Sequence, residues 1–188
     1  MRLVLPLVLL CLAAGPIWSA PHAYELDRAR SDVTFTWFLG DDAIAGNIPI
    51  ETATMILDLE AVGRSDVRVS LGADAAQAGF IIATQALRGP DVFDTQNHPR
   101  ITFQSEAFRV SGNQVQVDGR VTIRGVTRPM VMHATLHRQA GAVPDDADRL
   151  AVHLTGAINR HDFGASGFAN QVGARVEISI LAYIARTP

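Results

Sequence analysis

The sequence has 188 residues, of which 48% are hydrophobic, 19% charged and 6% aromatic, with a formal net charge of −3. That length supports one domain with a real core, and the composition excludes a disordered chain or a collagen-like repeat. All 16 basic residues are arginine and Cys11 is the single cysteine; Schiff-base lysine chemistry is excluded, and mild acidity without a basic stripe speaks against nucleic acid as the main partner.

Residues 1–20 read as a secretory signal peptide. Arg2 supplies a short positive region, LVLPLVLLCLAA an apolar run, and Gly15-Pro16 a break before small residues. A membrane anchor needs about 20 apolar residues, and Pro6 and Gly15 interrupt this run. The expected mature start lies between Gly15 and Tyr24. Cys11 leaves with the signal, so disulfides, thiolate nucleophiles and cysteine metal sites are not expected in the mature chain.

Period-2 patterning dominates the remainder of the chain. Val33, Phe35 and Trp37 alternate with polar residues in SDVTFTWF, as do Met55, Leu57 and Leu59 in ATMILDLE. Val67, Val69 and Leu71 share a face in RSDVRVSL. The segment ADAAQAGFIIATQALRGPDVF, residues 73–93, breaks the pattern. Its spacing predicts a helix over 76–88, stopped by Gly89-Pro90. Alternation then resumes in ITFQS, with Ile101 and Phe103, and in NQVQVDGRVTIRG, with Val115, Val117, Val121 and Ile123. Met130, Met132, Ala134 and Leu136 share the next face, then Val152, Leu154 and Gly156, then Val176, Ile178 and Ile180. Residues 139–149, QAGAVPDDADR, form a polar connection. Short strands separated by Gly, Asn and Asp predict an all-β sandwich or barrel. Twelve aromatics and a terminal ARTP are a poor fit to the aromatic girdles of an outer-membrane barrel.

Several residues invite chemistry. Asp94, His98 and Arg100 crowd into FDTQNHPRITFQS. His98 precedes a proline, which favours an extended backbone, and Asp94 is suited to capping a turn; the corner reads as structural, with contact to a ligand head or catalysis as alternatives. His133 and His137, on one strand face, stand roughly 13 Å apart at about 3.3 Å per residue and cannot share one metal ion. Ser166 in GASGFAN lacks the Gly-x-Ser-x-Gly spacing and the following helix of a nucleophile elbow. Arg160 is placed to pair with Asp162 or Asp94, or to meet a carboxylate or phosphate head.

Three stretches carry a resemblance. They are FDTQNHPRITFQS, VDGRVTIRGVTRPMVMHATL and INRHDFGASGFANQVGARVEISI. Their Asp94, Pro99, Phe103 and Ser105, then Gly119, Thr122, Ile123, Gly125, Val126, Thr127 and Pro129, then Arg160, Asp162, Phe163 and Gly164, resemble the YceI-like family of exported bacterial proteins in order and spacing. Val121 stands where that family usually has Leu, and Phe38 near its usual histidine. The resemblance covers about residues 24–186. It implies a single eight-stranded antiparallel lipocalin-like barrel with one short α-helix inserted between strands, in the periplasm. It also implies an apolar cavity holding a long isoprenoid or similar lipid, with an isoprenoid quinone among the options. The expected partner is thus a long-chain apolar small molecule, without nucleic acid, integral membrane insertion, metal or catalytic group; a homodimer is left open. Strand parity gives the expected cavity wall: Val33, Phe35, Trp37, Leu57, Phe103, Met130, Met132, Leu154, Phe163 and Ile178. Polar head contacts are assigned to Arg160, Asp94 and His98. An eight-stranded barrel is wide enough either to fill with side chains or to hold one small ligand, so a ligand-free structural or stress-response barrel is the rival reading.

Overall fold

The computed structural model describes residues 20–139 and 148–188. The expected signal segment and the centre of the 139–149 connection fall outside these residues. Ten strands are described: β1 (His22–Leu26), β2 (Asp32–Leu39), β3 (Asp42–Asn47), β4 (Ile50–Leu57), β5 (Asp66–Gly72), β6 (Arg100–Ser111), β7 (Gln114–Ile123), β8 (Val126–Arg138), β9 (Arg149–Asn159) and β10 (Arg175–Arg186). Helix α1 (Ile81–Arg88) lies between β5 and β6.

The ten strands make eight staves of a closed antiparallel barrel, because β1 and β2 both pair with β10, and β4 and β3 pair with β1 and β2 in turn. Each of those two staves is one long strand broken in the middle. The first break is an Asp turn: the Asp27 carboxylate accepts from Ala29 N and Arg30 N, and Ser31 Oγ donates to the Asp27 carbonyl at 2.7 Å. The second is Ile48-Pro49, where proline has no N–H to give the ladder. From β4 onward the chain meanders through neighbouring staves back to β10. Closure through the β1–β10 pairing leaves few open pairing positions; β3, laddered to β2, keeps an outer edge that meets Gln77 in a single bridge.

Three expectations change. β1 and β3 carry too short an alternation to read from sequence, and His22, within the stretch expected to hold the mature start, pairs with Leu57 inside the sheet. The helix is shorter than 76–88: residues Ala73–Ala75 form a 3-10 turn, and Gln77 bridges to Asn47 as extended chain before α1 begins at Ile81. Backbone pairing wins there, because Asn47 and Gln77 exchange two N–H···O bonds of 2.9 Å, whereas a helix of these few residues has little stability of its own.

The two barrel ends differ. One end is plugged by a small cluster of Tyr24, Met55, Leu150, Ala182 and Ile184, with Leu57 packed against it. Beneath it the β4–β5 connection is organised by Asp58. This buried carboxylate accepts from Glu60 N and Ala61 N and pairs with Arg64. Burial pushes its pKa up, but the Ala61 N–H, the Arg64 charge and hydrogen bond and the Glu60 N–H outweigh that and hold it below the usual carboxylate value. The other end carries α1, the turn between β7 and β8, and the 160–174 loop between β9 and β10.

Candidate ligand-binding site

Inward-facing side chains of all eight staves leave a cavity of about 460 Å³. That size falls in the usual range for small-molecule sites, about 300–1,000 Å³. Its floor is formed by Leu26, Met55, Val67 and Ala182, and its wall includes Val69, Ile101, Val117, Val121, Ile123, Ile158 and Ile180. At the helix end Phe80, Ile82, Val92, Phe93 and Phe168 surround the mouth. Phe80 and Phe168 line the cavity while remaining 46% and 52% exposed, so the mouth is open to solvent between aromatic rings. Among the lining side chains only Arg160, Gln171 and the Trp37 indole carry polar groups.

Nine of the ten residues derived from strand parity stand on this wall: Val33, Phe35, Trp37, Phe103, Met130, Met132, Leu154, Phe163 and Ile178. Leu57 does not. It sits at the end of β4, beyond the floor, in the plug cluster. The helix and mouth residues Phe80, Ile82, Ala83, Ala86 and Leu87 also line the cavity and were not anticipated. Their apolar spacing in FIIATQAL, on a lone helix expected near a barrel mouth, was the available signal; which of its side chains reach the cavity was not.

Two glycines shape the wall. A Cβ at Gly119 would stand 2.5 Å from Phe103 Cζ and 2.5 Å from the Gln104 carbonyl oxygen. Gly119 therefore lets the Phe103 ring lie against β7. Gly46 does the same for the Phe35 ring on β3.

The polar assignments come out differently. Arg160 is buried, lies at the cavity wall, and pairs with neither Asp162 nor Asp94. Its guanidinium donates to four backbone carbonyls: Nε to Gly173 at 2.9 Å, Nη1 to Ala165 at 2.6 Å and Gly167 at 2.8 Å, and Nη2 to Val172 at 2.9 Å. Arginine has five donors in a fixed fork, and this loop folds around four of them. Burial lowers its pKa below the ordinary arginine value, yet a guanidinium stays charged in proteins.

Asp94 does not line the cavity. Its backbone adopts φ 51°, its carbonyl accepts from Asn97 N and His98 N, and its carboxylate accepts from the Asn97 amide at 3.0 Å. It shapes the corner mainly through its backbone. His98 packs on Gly125 and lies off the cavity lining. Arg100 pairs with Glu51, Nε to Oε2 at 2.6 Å, on the outer wall. The crowded acid, base and cation of the sequence thus point three ways.

The corner, the β7–β8 turn and the 160–164 segment meet at the mouth. Arg124 and Gly125, both at positive φ, form the two-residue turn of a hairpin. Arg124 donates to the Pro90 carbonyl at 2.6 Å and to the Gly164 carbonyl, and Arg128 Nε donates to the Asp162 carbonyl at 3.1 Å. Gly167 N donates to the Asp91 carbonyl at 2.9 Å. Ser105 Oγ, at a bulge in the β6–β7 pairing, accepts from Val67 N at 2.8 Å. These motif residues hold the rim and wall in place.

Residues 24–183 match the family profile described as a YceI-like domain. The chain belongs to the YceI-like family. This YceI-like chain is 24% identical over 172 residues to Protein YceI of Escherichia coli O157:H7, a match covering 91% of this chain and 90% of that protein. It is 26% identical over 158 residues to a UPF0312 protein of Pseudomonas savastanoi pv. phaseolicola, covering 83% and 82%. The crystal structure of Burkholderia cenocepacia BcnA shares the YceI-like barrel with a TM-score of 0.75 at 19% identity, covering 86% of this chain and 99% of that one. The Campylobacter jejuni YCEI protein does so with a TM-score of 0.63 at 19% identity, covering 80% and 89%.

Ser166 is exposed in the 164–173 loop, with no helix following it. His153 Nε2 lies 3.0 Å from Ser179 Oγ on the outer surface. Among the described residues no group of three His, Cys, Asp or Glu side chains comes together as a metal site, and no helix is long and apolar enough to cross a membrane.

Proposed function

We propose that this YceI-like chain is a non-catalytic binding protein. It holds an apolar chain molecule, isoprenoid or acyl, inside its barrel for sequestration or carriage. The expected signal sequence at residues 1–20 supports a periplasmic home, with the barrel domain over residues 24–186.

The observation that carries the reading is the 460 Å³ cavity with an almost wholly apolar wall and one open mouth. A water-sized group occupies about 30 Å³, so the space accommodates at least about 15 methylene-sized groups. Burying each CH₂ contributes about 0.8 kcal/mol, and a chain of this length needs no ion pair to stay bound. The wall is rich in Met and aromatic side chains, and methionines adapt to flexible apolar partners. The nine wall residues derived from strand parity are the proposed ligand contacts. Asp94 and His98 are not, since neither lines the cavity.

Native mass spectrometry of the purified protein, with solvent extraction of what it carries, tests the reading. A bound apolar compound, or a raised Tm on adding farnesol or palmitoleyl alcohol, is the expected result. A protein that purifies empty and whose Tm none of these lipids moves is a structural barrel instead.

A further inference from the structure

The cavity is open at one end and closed at the other. On β10 the side chains of Val176, Ile178, Ile180 and Ala182 line it in turn, and the next inward residue, Ile184, lies in the plug. Val176 to Ala182 is about 20 Å of strand at about 3.3 Å per residue. A stave tilted by about 40° turns that into about 15 Å of depth. Met55 and Ala182 belong both to the cavity lining and to the plug cluster, so they form the floor itself. Behind them the buried Tyr24, Leu150 and Ile184 fill the barrel.

The polar side chains of the lining leave a ligand head little to bind. Trp37 Nε1 is buried away from the cavity. Arg160 gives its fork to four carbonyls of its own loop. Gln171 is exposed, on the loop at the mouth. A polar head carried down to the floor would lose its water and gain no partner. The chain therefore enters tail first, and its head stays at the mouth between the exposed Phe80 and Phe168.

We propose that the closed floor makes this barrel a gauge of apolar chain length, that Met55 and Ala182 set the limit, and that the site selects by tail and not by head. This rests on the proposed binding function and adds what the site discriminates. Each methylene taken into the cavity raises affinity about fourfold. Once the tail meets Met55 and Ala182, further carbons remain in the mouth and add little. The volume of the space puts that limit at about 15–20 carbons.

The test measures straight-chain 1-alkanols from dodecanol to docosanol on the wild type, Met55→Ala and Ala182→Leu. Each is delivered from methyl-β-cyclodextrin, and binding is read from Tm shifts across a titration, corrected for what the cyclodextrin holds. Wild-type affinity is expected to climb about fourfold per methylene and then level off. Met55→Ala removes three heavy atoms from the floor. It is expected to gain nothing for dodecanol and about tenfold or more for docosanol. Ala182→Leu adds three heavy atoms and is expected to match the wild type for dodecanol and to fall about tenfold or more below it for docosanol. The two variants move the limit in opposite directions, so either one that folds decides the point. In the wild type, fatty acids are expected to level off at the same tail length as the alkanols. Affinity that keeps climbing through docosanol overturns the gauge. A uniform change at every length in a folded variant overturns the part given to Met55 or Ala182. A limit that differs between acids and alcohols overturns selection by tail alone. All three results leave the barrel a binder, whereas a wild type that binds no alkanol overturns the binding function as well.

Discussion

His98 and Gly125 fit against each other so closely that a Cβ on the glycine would stand 2.9 Å from His98 Cε1. The contact joins the corner after α1 to the β7–β8 turn, and Gly125 also holds φ 73°, where a side chain is strained. Gly125→Ala is expected to lose about 1–3 kcal/mol of stability in urea unfolding. His98→Ala in the same background should recover only part of that loss, since it relieves the contact and not the backbone. Full recovery would show that the turn itself is unstrained.

Arg160 determines the path of the 164–173 loop. Replacing it by Ala removes four hydrogen bonds and leaves the buried Ala165 carbonyl and three part-buried ones without this donor. A loss of about 3 kcal/mol or more is expected, with faster amide exchange concentrated in residues 164–173. Arg160→Lys should recover little, because an ammonium lacks the planar fork. Rescue by lysine would mean that charge, not shape, holds the loop.

Asp58 gives the fold an acid-sensitive joint. Its folded-state pKa is lowered, so its contribution to stability is fully present above the unfolded value of about 3.9 and is lost as pH falls through the folded value. Urea unfolding between pH 6 and pH 2 should show the wild type losing this contribution below about pH 4. Asp58→Asn should be less stable at pH 6 and lose less on acidification. Parallel pH profiles for the two proteins would remove Asp58 from the account.

Gly119 and Phe103 define the cavity wall together. Gly119→Val places atoms where the Phe103 ring and the Gln104 carbonyl lie, and overpacking of this kind costs about 1–3 kcal/mol. The ring must shift into the cavity, so lipid-induced stabilisation should fall more than a stability-matched surface variant predicts. Adding Phe103→Ala should restore room for ligand.

Ile178→Phe fills cavity space rather than displacing packed side chains. Its stability without ligand is expected to stay within about 1.5 kcal/mol of wild type, while the Tm shift on adding lipid shrinks. A full-sized shift in a folded Ile178→Phe would place the ligand elsewhere.

The sequence by itself determined the strand faces, and through them most of the cavity wall. Side chains alternate strictly across a strand, so Val33, Phe35 and Trp37, or Met130 and Met132, had to share a face whatever the strands went on to do. Its three motifs also identified the family. Parity could not say how far down the barrel each residue sits, which is why Leu57 falls in the plug and not the wall. It could not fix the helix start either, because the pairing of Gln77 with Asn47 joins positions distant in sequence. What Arg160, Asp94 and His98 do was decided only by the tertiary structure. Backbone carbonyls leave no mark in a sequence, and four of them, brought together by the loop, take the guanidinium that sequence logic assigns to a carboxylate or a ligand. Whether the barrel is hollow was decided there too. That depends on how eight staves close and on which glycines let Phe35 and Phe103 lie against the wall, and both are properties of packing across strands far apart in the chain.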